Sequence, residues 1–356
     1  MTTTFVRRLA ALALGAAALA CGGGEKRAAG DTAAGGTAGG QGGAGAGKRY
    51  TIALIAKSSN NPVFLASRNG AEAAAKELSQ KNGIDVSVLW LTPPQEDGQV
   101  QAQRIQQAVN QGVDAILISA SDAGKVQGAI NDAVDRGVQV MTFDSDVPQS
   151  KRFAYYGVND LETGRKAMAE LATLMGPRGG KVGILAGNQN APNLQARVRG
   201  VREEAAKHPN VQIIGAFNHI ETPQDAAAEV TRVNNAYPDI AGWVFVGGWP
   251  LFTQTLLTDI DPKRIKVVSV DALPAELAYV DRGVVPVLLA QPVYNWGYVG
   301  VQTIIDKLHF KKDVPQSIPM DLVRVTKENL GQWAQQLRDW GFTDVDPKYL
   351  GATAAR

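Results

Sequence analysis

The stretch "VQVMTFDSDVPQSKRFAYYGV", residues 138–158, decides how the chain divides. An apolar strand runs through Val140 and Phe143 and stops at Asp144, Ser145 and Asp146. A loop then leads straight to another strand-like run, Phe153 to Val158, and the next helical pattern opens only at Asn159–Asp160. One strand therefore follows another without a crossover helix. The run Phe153–Val158 is read as leaving a first sheet and entering a second. Two carboxylates bracketing a serine at the end of a buried strand can serve a metal, the backbone or a ligand, and the rest of the chain separates these uses.

Around this break the chain keeps a regular rhythm. Strand candidates "YTIALIA", "IDVSVLWL", "VDAILISA" and "VQVMTF" start near residues 50, 84, 113 and 138, with helical patterns Val63–Gln80, Val100–Asn110 and Lys125–Asp135 between them. A second series, "KVGILAG", "VQIIGAF", "AGWVFVG" and "IKVVSV", starts near 181, 211, 241 and 265. Near-continuous apolar strands joined by helices indicate parallel sheets covered on both faces. Two further crossings are expected at Val285–Pro292 and Ser317–Val325. The expected fold is α/β, two doubly wound parallel-sheet lobes joined by a three-segment hinge. Residues 49–157 plus 291–321 would form the N-terminal lobe, and 158–290 plus 322–356 the C-terminal lobe.

The N-terminus belongs to neither lobe. "MTTTFVRRLAALALGAAALAC" has a positive start at Arg7 and Arg8, an unbroken apolar run from Leu9 to Ala20, and then Cys21. That run suits a secretory signal over residues 1–20 and is too short to span a bilayer. Cys21 is the only cysteine, so no internal disulfide can form. Its place at the cleavage point resembles the lipobox of bacterial lipoproteins and implies acylation there; an ordinary signal peptide with an incidental cysteine is the other reading. Gly22 to Lys48 is nearly all Gly, Ala and Thr, has nothing to bury, and is expected to be a disordered tether with a reach of roughly 25–30 Å. The 36 basic and 34 acidic residues are interspersed, giving a formal charge of +2 without a basic block, so nucleic-acid binding has no electrostatic support.

In open parallel sheets ligands bind beyond the carboxyl ends of the strands. Those positions carry Lys57, Asn61 and Phe64 after the first strand, Asp144 and Asp146 after the fourth, Arg197 in "GNQNAPNLQARVRG", Trp249 in "GGWP", Asp271 and Gln291. Carboxylates, amides, an arginine and aromatic rings suit a polyhydroxylated ligand, since each hydroxyl both donates and accepts and a sugar face packs on a ring. Arg197 borders the buried stripe Leu194, Val198, Val201 and Ala205, whereas Arg199 and Arg202 point away. Several of these positions have other uses. Asn61 before Pro62 is a good helix N-cap, Asp146 can cap the turn before Pro148, Phe64 can be core, and Trp249 can pack at a helix start. Lys57 can be solvated and Arg197 can form a surface ion pair.

Catalytic patterns fail. His208, His219 and His309 lack metal-ligand spacing, "GPRGGKVG" precedes a strand instead of following one, and no G-x-S-x-G elbow occurs. "DSDVPQ" lacks the glycine and glutamate of a calcium loop. Neither an enzyme nor a bound cofactor is expected.

Taken together, "YTIALIAKSSNNPVF", "GVDAILISASDA", "GVQVMTFDSD" and "QARVRGVRE" resemble the sugar-binding proteins of bacterial ABC importers of the ribose-binding type, over residues 50–325. The resemblance implies the periplasmic binding protein-like I fold, closing on a monosaccharide through Asn61, Phe64, Asp144, Arg197, Asp271 and Gln291. Lys57, Ser145, Gly248–Trp249 and Val270 depart from the ribose binders; Lys57 with "DSD" is more similar to rhamnose and furanosyl-autoinducer receptors. The lactose-repressor family shares the core but carries a helix-turn-helix where this chain has its signal and tether. The implied function is a monomeric, periplasmic or envelope-bound receptor, anchored to the membrane through Cys21, that delivers a sugar or polyol to an ABC permease. A sensory receptor for a sugar-like signal, read by a chemoreceptor or sensor kinase, is the alternative.

Overall fold

A computed structural model describes residues 47–258 and 260–351. The expected signal segment, Cys21 and nearly all of the tether lie outside the described residues. Lys48, placed at the end of the tether, is already engaged, its carbonyl accepting from Asp85 N at 3.0 Å.

Strands and helices alternate from the start. The first run is β1 (Arg49–Ile55), α1 (Pro62–Asn82), β2 (Asp85–Trp90), α2 (Gly98–Asn110), β3 (Ala115–Ile118), α3 (Ala123–Asp135), β4 (Gln139–Phe143) and β5 (Ala154–Gly157). The second is α4 (Asp160–Met175), β6 (Gly180–Gly187), α5 (Pro192–Ala205), β7 (Val211–Asn218), α6 (Pro223–Ala236), β8 (Ile240–Phe245), β9 (Lys266–Val270), α7 (Leu277–Asp281) and β10 (Val287–Ala290). The chain ends with α8 (Val293–Leu308), β11 (Ser317–Pro319), β12 (Val323–Val325), α9 (Leu330–Asp339) and α10 (Pro347–Leu350). Two six-stranded sheets result, in the orders β11-β5-β4-β3-β1-β2 and β12-β10-β9-β8-β6-β7. All pairs are parallel except β10 with β12.

The inner strands read as near-continuous apolar runs because both of their faces are covered. In β1, Ile52 and Leu54 enter one core with Leu117, Phe143 and Trp296, while Ala53 and Ile55 enter another with Ile105, Ile116 and Ile130. Successive side chains point to opposite faces, so neither face can be polar. The second sheet is likewise enclosed, with Ile184, Trp243, Phe245, Val268 and Leu288 fully buried.

The break near residue 150 differs from the expectation. β5 stays in the first sheet, pairing in parallel with β4 through Met141↔Ala154, Thr142↔Tyr155 and Phe143↔Tyr156. The chain passes to the second sheet only after Val158, where α4 begins. Two other crossings follow, one at Gln291, where β10 gives way to α8 against β3, β4 and β5, and one between β11 and β12. Near these crossings Tyr294 of α8 stacks on Trp340 just past α9, with centroids 5.7 Å apart and planes 5° from parallel.

One helix crossing bears directly on the site. A Cβ at Gly164 of α4 would lie 2.0 Å from the Arg197 carbonyl oxygen, and one at Gly200 of α5 would lie 2.0 Å from the Leu161 carbonyl oxygen. Glycine at both positions lets α4 and α5 approach until their backbones touch. That approach sets the position of Arg197.

Candidate functional site

Asp144 and Asp271 are the first residues beyond β4 and β9, and both have positive φ, 55° and 77°. Aspartate tolerates this region better than most residues, at some cost in strain. Around them lies one continuous polar network. Asp144 accepts from Ser119 Oγ through Oδ2 at 2.7 Å and from Asn193 Nδ2 through Oδ1 at 2.9 Å. Lys57 Nζ donates to Asn193 Oδ1 at 3.0 Å and stands 3.5 Å from Asp144 Oδ2.

Arg197 joins this end of the network to the other. Its Nε donates to Asp160 Oδ1 at 2.8 Å, Nη1 to the Val246 carbonyl at 2.9 Å and Nη2 to Gln291 Oε1 at 2.9 Å, with Asp144 Oδ1 3.9 Å away. Gln291 Nε2 donates to Asp271 Oδ1 at 2.8 Å, and Gly248 N donates to Asp271 Oδ2 at 3.2 Å. Five residues singled out from the sequence, Lys57, Asp144, Arg197, Asp271 and Gln291, are thus buried in one linked set. Lys57 and Asp144 come from the first sheet, Arg197 and Asp271 from the second, and Gln291 from a crossing.

The charges are mutually dependent. Burial alone would lower the Lys57 ammonium, but Asp144, Glu96 and Glu221 hold it above its ordinary value. Burial likewise opposes the Arg197 charge, and Asp160, Asp144 and Asp271 more than compensate. Burial pushes Asp160 up to about 6 in spite of Arg197, and it raises Asp271 as well. Behind Asp271, burial raises the fully enclosed Glu276 well above the ordinary carboxyl range, and the Asp271 charge adds to this.

Four other expected residues have partners within the fold and stand outside this linked set. Asn61 caps α1, its Oδ1 accepting from Val63 N at 3.2 Å. Phe64 is core, stacked on Trp296 with centroids 6.0 Å apart. Both Asp146 oxygens are engaged by Arg152, and Oδ1 also accepts from Thr142 Oγ1 and Val147 N. Arg152 in turn donates to the Gln316 carbonyl at 3.0 Å, so Asp146 braces the loop that returns the chain from β4 to β5. Trp249 is buried against Gly187 and Gly247 and donates from Nε1 to Glu221 Oε2 at 3.0 Å.

Other members of the site escaped sequence reasoning. Asn193 stands four residues before Arg197 on α5, the spacing that puts two side chains on one helix face. Asp160 opens α4 directly after its cap, Asn159, and Ser119 follows β3. At the rim, Asn188 holds two carboxylates at once. Its Nδ2 donates to Glu96 Oε2 at 3.1 Å and its backbone N to Glu221 Oε1 at 3.1 Å. Burial, then the charge of Glu221, pushes Glu96 up to about 8.

Comparisons with known proteins agree with this architecture. Residues 52–312 match the model of the periplasmic binding protein domain. The ribose import binding protein of Bacillus subtilis is 27% identical over 270 residues, covering 76% of this chain and 85% of that protein. The D-ribose/D-allose-binding protein of Pseudomonas aeruginosa is 24% identical over 291 residues, covering 76% and 88%. A solute-binding protein of an ABC transporter from Burkholderia graminis, solved with D-arabinose, superposes with a TM-score of 0.73 at 24% identity over 80% of this chain and 97% of that one. Another from Agrobacterium vitis, solved with D-fucose, gives 0.74 at 23% identity over 81% and 99%. With two covered, mostly parallel sheets, three crossings and charged side chains meeting at the strand ends, the chain belongs to the family of the periplasmic binding protein domain.

Proposed function

We propose that the protein captures a monosaccharide or small polyol between its lobes and delivers it to an ABC permease. The observation that carries this reading is the unbroken line Lys57–Asn193–Asp144–Arg197–Gln291–Asp271, which runs from one sheet to the other through buried donors and acceptors. The lobes correspond to residues 49–157 with 291–321 and 158–290 with 322–356, and the three crossings between the sheets act as the hinge. Ligand favours the closed arrangement because only there do both sheets contribute partners. A few hydrogen bonds to charged groups, at about 1.5–3 kcal/mol each, suffice for micromolar affinity or better.

The names of the similar proteins, which include ribose, allose and arabinose binders, favour pentoses and related aldoses as the first candidates. The N-terminal segment supports export to the periplasm or cell envelope and attachment through acylated Cys21. A thermal-shift screen of pentoses, hexoses, deoxysugars and polyols tests the reading, because a ligand held by the native form raises its melting temperature. A panel that leaves the melting temperature unmoved throughout would refute it. Incorporation of labelled palmitate, lost in Cys21→Ser, tests the anchor.

A further inference from the structure

Arg199 takes no part in the cleft. It lies on α5 two residues past Arg197 and is exposed, and its guanidinium has no hydrogen-bond or ion-pair partner among the described residues. Several exposed arginines elsewhere do find a carboxylate: Arg49 takes Asp85, Arg232 takes Glu229 and Arg324 takes Glu170. Beside Arg199 a pocket of about 310 Å³ opens between α5 and β7, the edge strand of the second sheet. Leu194 and Val198, four residues apart on the helix, form its apolar floor with Ala186 and Ala216. Gln195 and Arg199, at the same spacing, add a polar row, and Gln189 and Asn218 complete the wall. None of the described residues lining it is acidic.

The wall is tied down and still has capacity to spare. Gln195 Nε2 donates to the Gln189 carbonyl, and Asn218 Nδ2 to the Gly187 carbonyl at 2.9 Å. Both amide oxygens are left able to accept from hydroxyls, and the Arg199 fork keeps its N–H donors. An apolar floor under a few fixed polar groups suits a small ring, and the volume falls at the lower end of the roughly 300–1,000 Å³ usual for such sites. The larger groove between α2 and α3, about 390 Å³, offers no such free fork, because its Arg136 donates to Asn110 Oδ1 at 3.3 Å. A single guanidinium matches a single negative charge, and its planar fork fits a carboxylate through two parallel bonds. We propose that the pocket is an accessory site for a sugar acid of the uronate class, its carboxylate on Arg199 and its hydroxyls on Gln195 and Asn218. The assignment does not depend on the sugar-binding reading above, since none of Lys57, Asp144, Arg197, Asp271 and Gln291 lines the pocket.

The test is calorimetric titration of the full chain carrying Asp271→Ala, which disables the cleft, with D-galacturonate, D-galactose and acetate. Asp271→Asn replaces it should the alanine variant fail to melt cooperatively. D-Galacturonate should bind with a Kd of about 1 mM or tighter, and about tenfold or more tighter than either D-galactose or acetate. Adding Arg199→Gln should weaken it by about tenfold or more, through loss of the charge-assisted bonds. Arg202→Gln, at an exposed position on the same helix, should change nothing. Absence of D-galacturonate binding overturns the proposal, and so does equal binding of D-galactose or of acetate. An equal effect of the two arginine variants overturns it as well, since it would mark diffuse attraction to the surface. D-Galacturonate that binds the unaltered protein but not the Asp271 variant belongs to the cleft, which removes the accessory site and supports the sugar-binding reading. If neutral sugars fail on the unaltered protein while D-galacturonate still binds through Arg199, the sugar-binding reading falls and this one stands.

Discussion

Asp144 and Asp271 leave the fourth strands of their sheets in the same way, each with a left-handed backbone and each donating its N–H to the strand next in line. Asp144 N reaches the Tyr156 carbonyl at 3.1 Å and Asp271 N the Leu289 carbonyl at 3.0 Å. The two halves of the chain thus deliver a carboxylate by one shared device. Arg197 answers both, in contact with Asp144 and linked to Asp271 through Gln291.

This device makes strain and binding separable. Asp271→Gly and Asp271→Ala should both weaken ligand binding by about 100-fold or more, since each removes a charged acceptor together with its partner for Gln291. The glycine variant should nevertheless melt higher than the alanine variant, because only glycine adopts φ of 77° without penalty. Differential scanning calorimetry and titration on the same samples check both halves.

Arg197→Lys removes a fork that no ammonium can replace. Three of its N–H groups serve Asp160, Val246 and Gln291 in different directions. Breaking this buried set should cost about 3–5 kcal/mol of stability and reduce binding below detection. Urea denaturation that shows less than about 1 kcal/mol of change would argue that Arg197 is dispensable to the network.

Glu96 predicts a pH dependence of known sign. Its carboxyl is held at about 8 by burial and by Glu221, against an ordinary value of 4.5, so the native form binds the extra proton between those limits. Its favourable contribution is complete below 4.5 and is lost as pH rises through about 8. Melting temperature should therefore fall more steeply from pH 5 to 8 in the unaltered protein than in Glu96→Gln. Asp160, at about 6, adds a loss of the same sign over the lower part of this range.

Gly164→Ala tests the approach of the helices rather than the chemistry. A methyl there would press on the Arg197 carbonyl from 2.0 Å, and backbone cannot yield as a flexible side chain can. Overpacking of this kind costs about 1–3 kcal/mol. The shift of α5 should also weaken ligand binding, although residue 164 carries no polar group. Retained affinity together with lowered stability would confine the role of Gly164 to packing.

The sequence is most legible where physics leaves one option. Strands covered on both faces must be largely apolar, and β1, β3, β4, β6, β8 and β9 announce themselves. Asp144, Asp271 and Gln291 are readable because strands release them at the sheet edge, and Arg197 because it borders a helical stripe. The same spacing applied four residues earlier would have found Asn193. Glu96 and Glu221 sit in loops, where no period marks a side chain's direction. Asp144 and Asp146 are alike in sequence, and what separates them is Arg152, six residues on from Asp146, which engages both oxygens of its carboxylate. That clamp also explains the misplaced β5. Parallel neighbours ordinarily need a long crossover, and here a braced loop does the work of a helix.

The stack of Tyr294 on Trp340 has a practical consequence. Tyr294 lies on α8 and Trp340 just past α9, two helices that follow different crossings, so the proposed hinge motion would slide one ring over its partner. Indole emission is sensitive to such a displacement, so this stack would serve as a native optical gauge of the proposed closure, readable without labels by stopped-flow mixing.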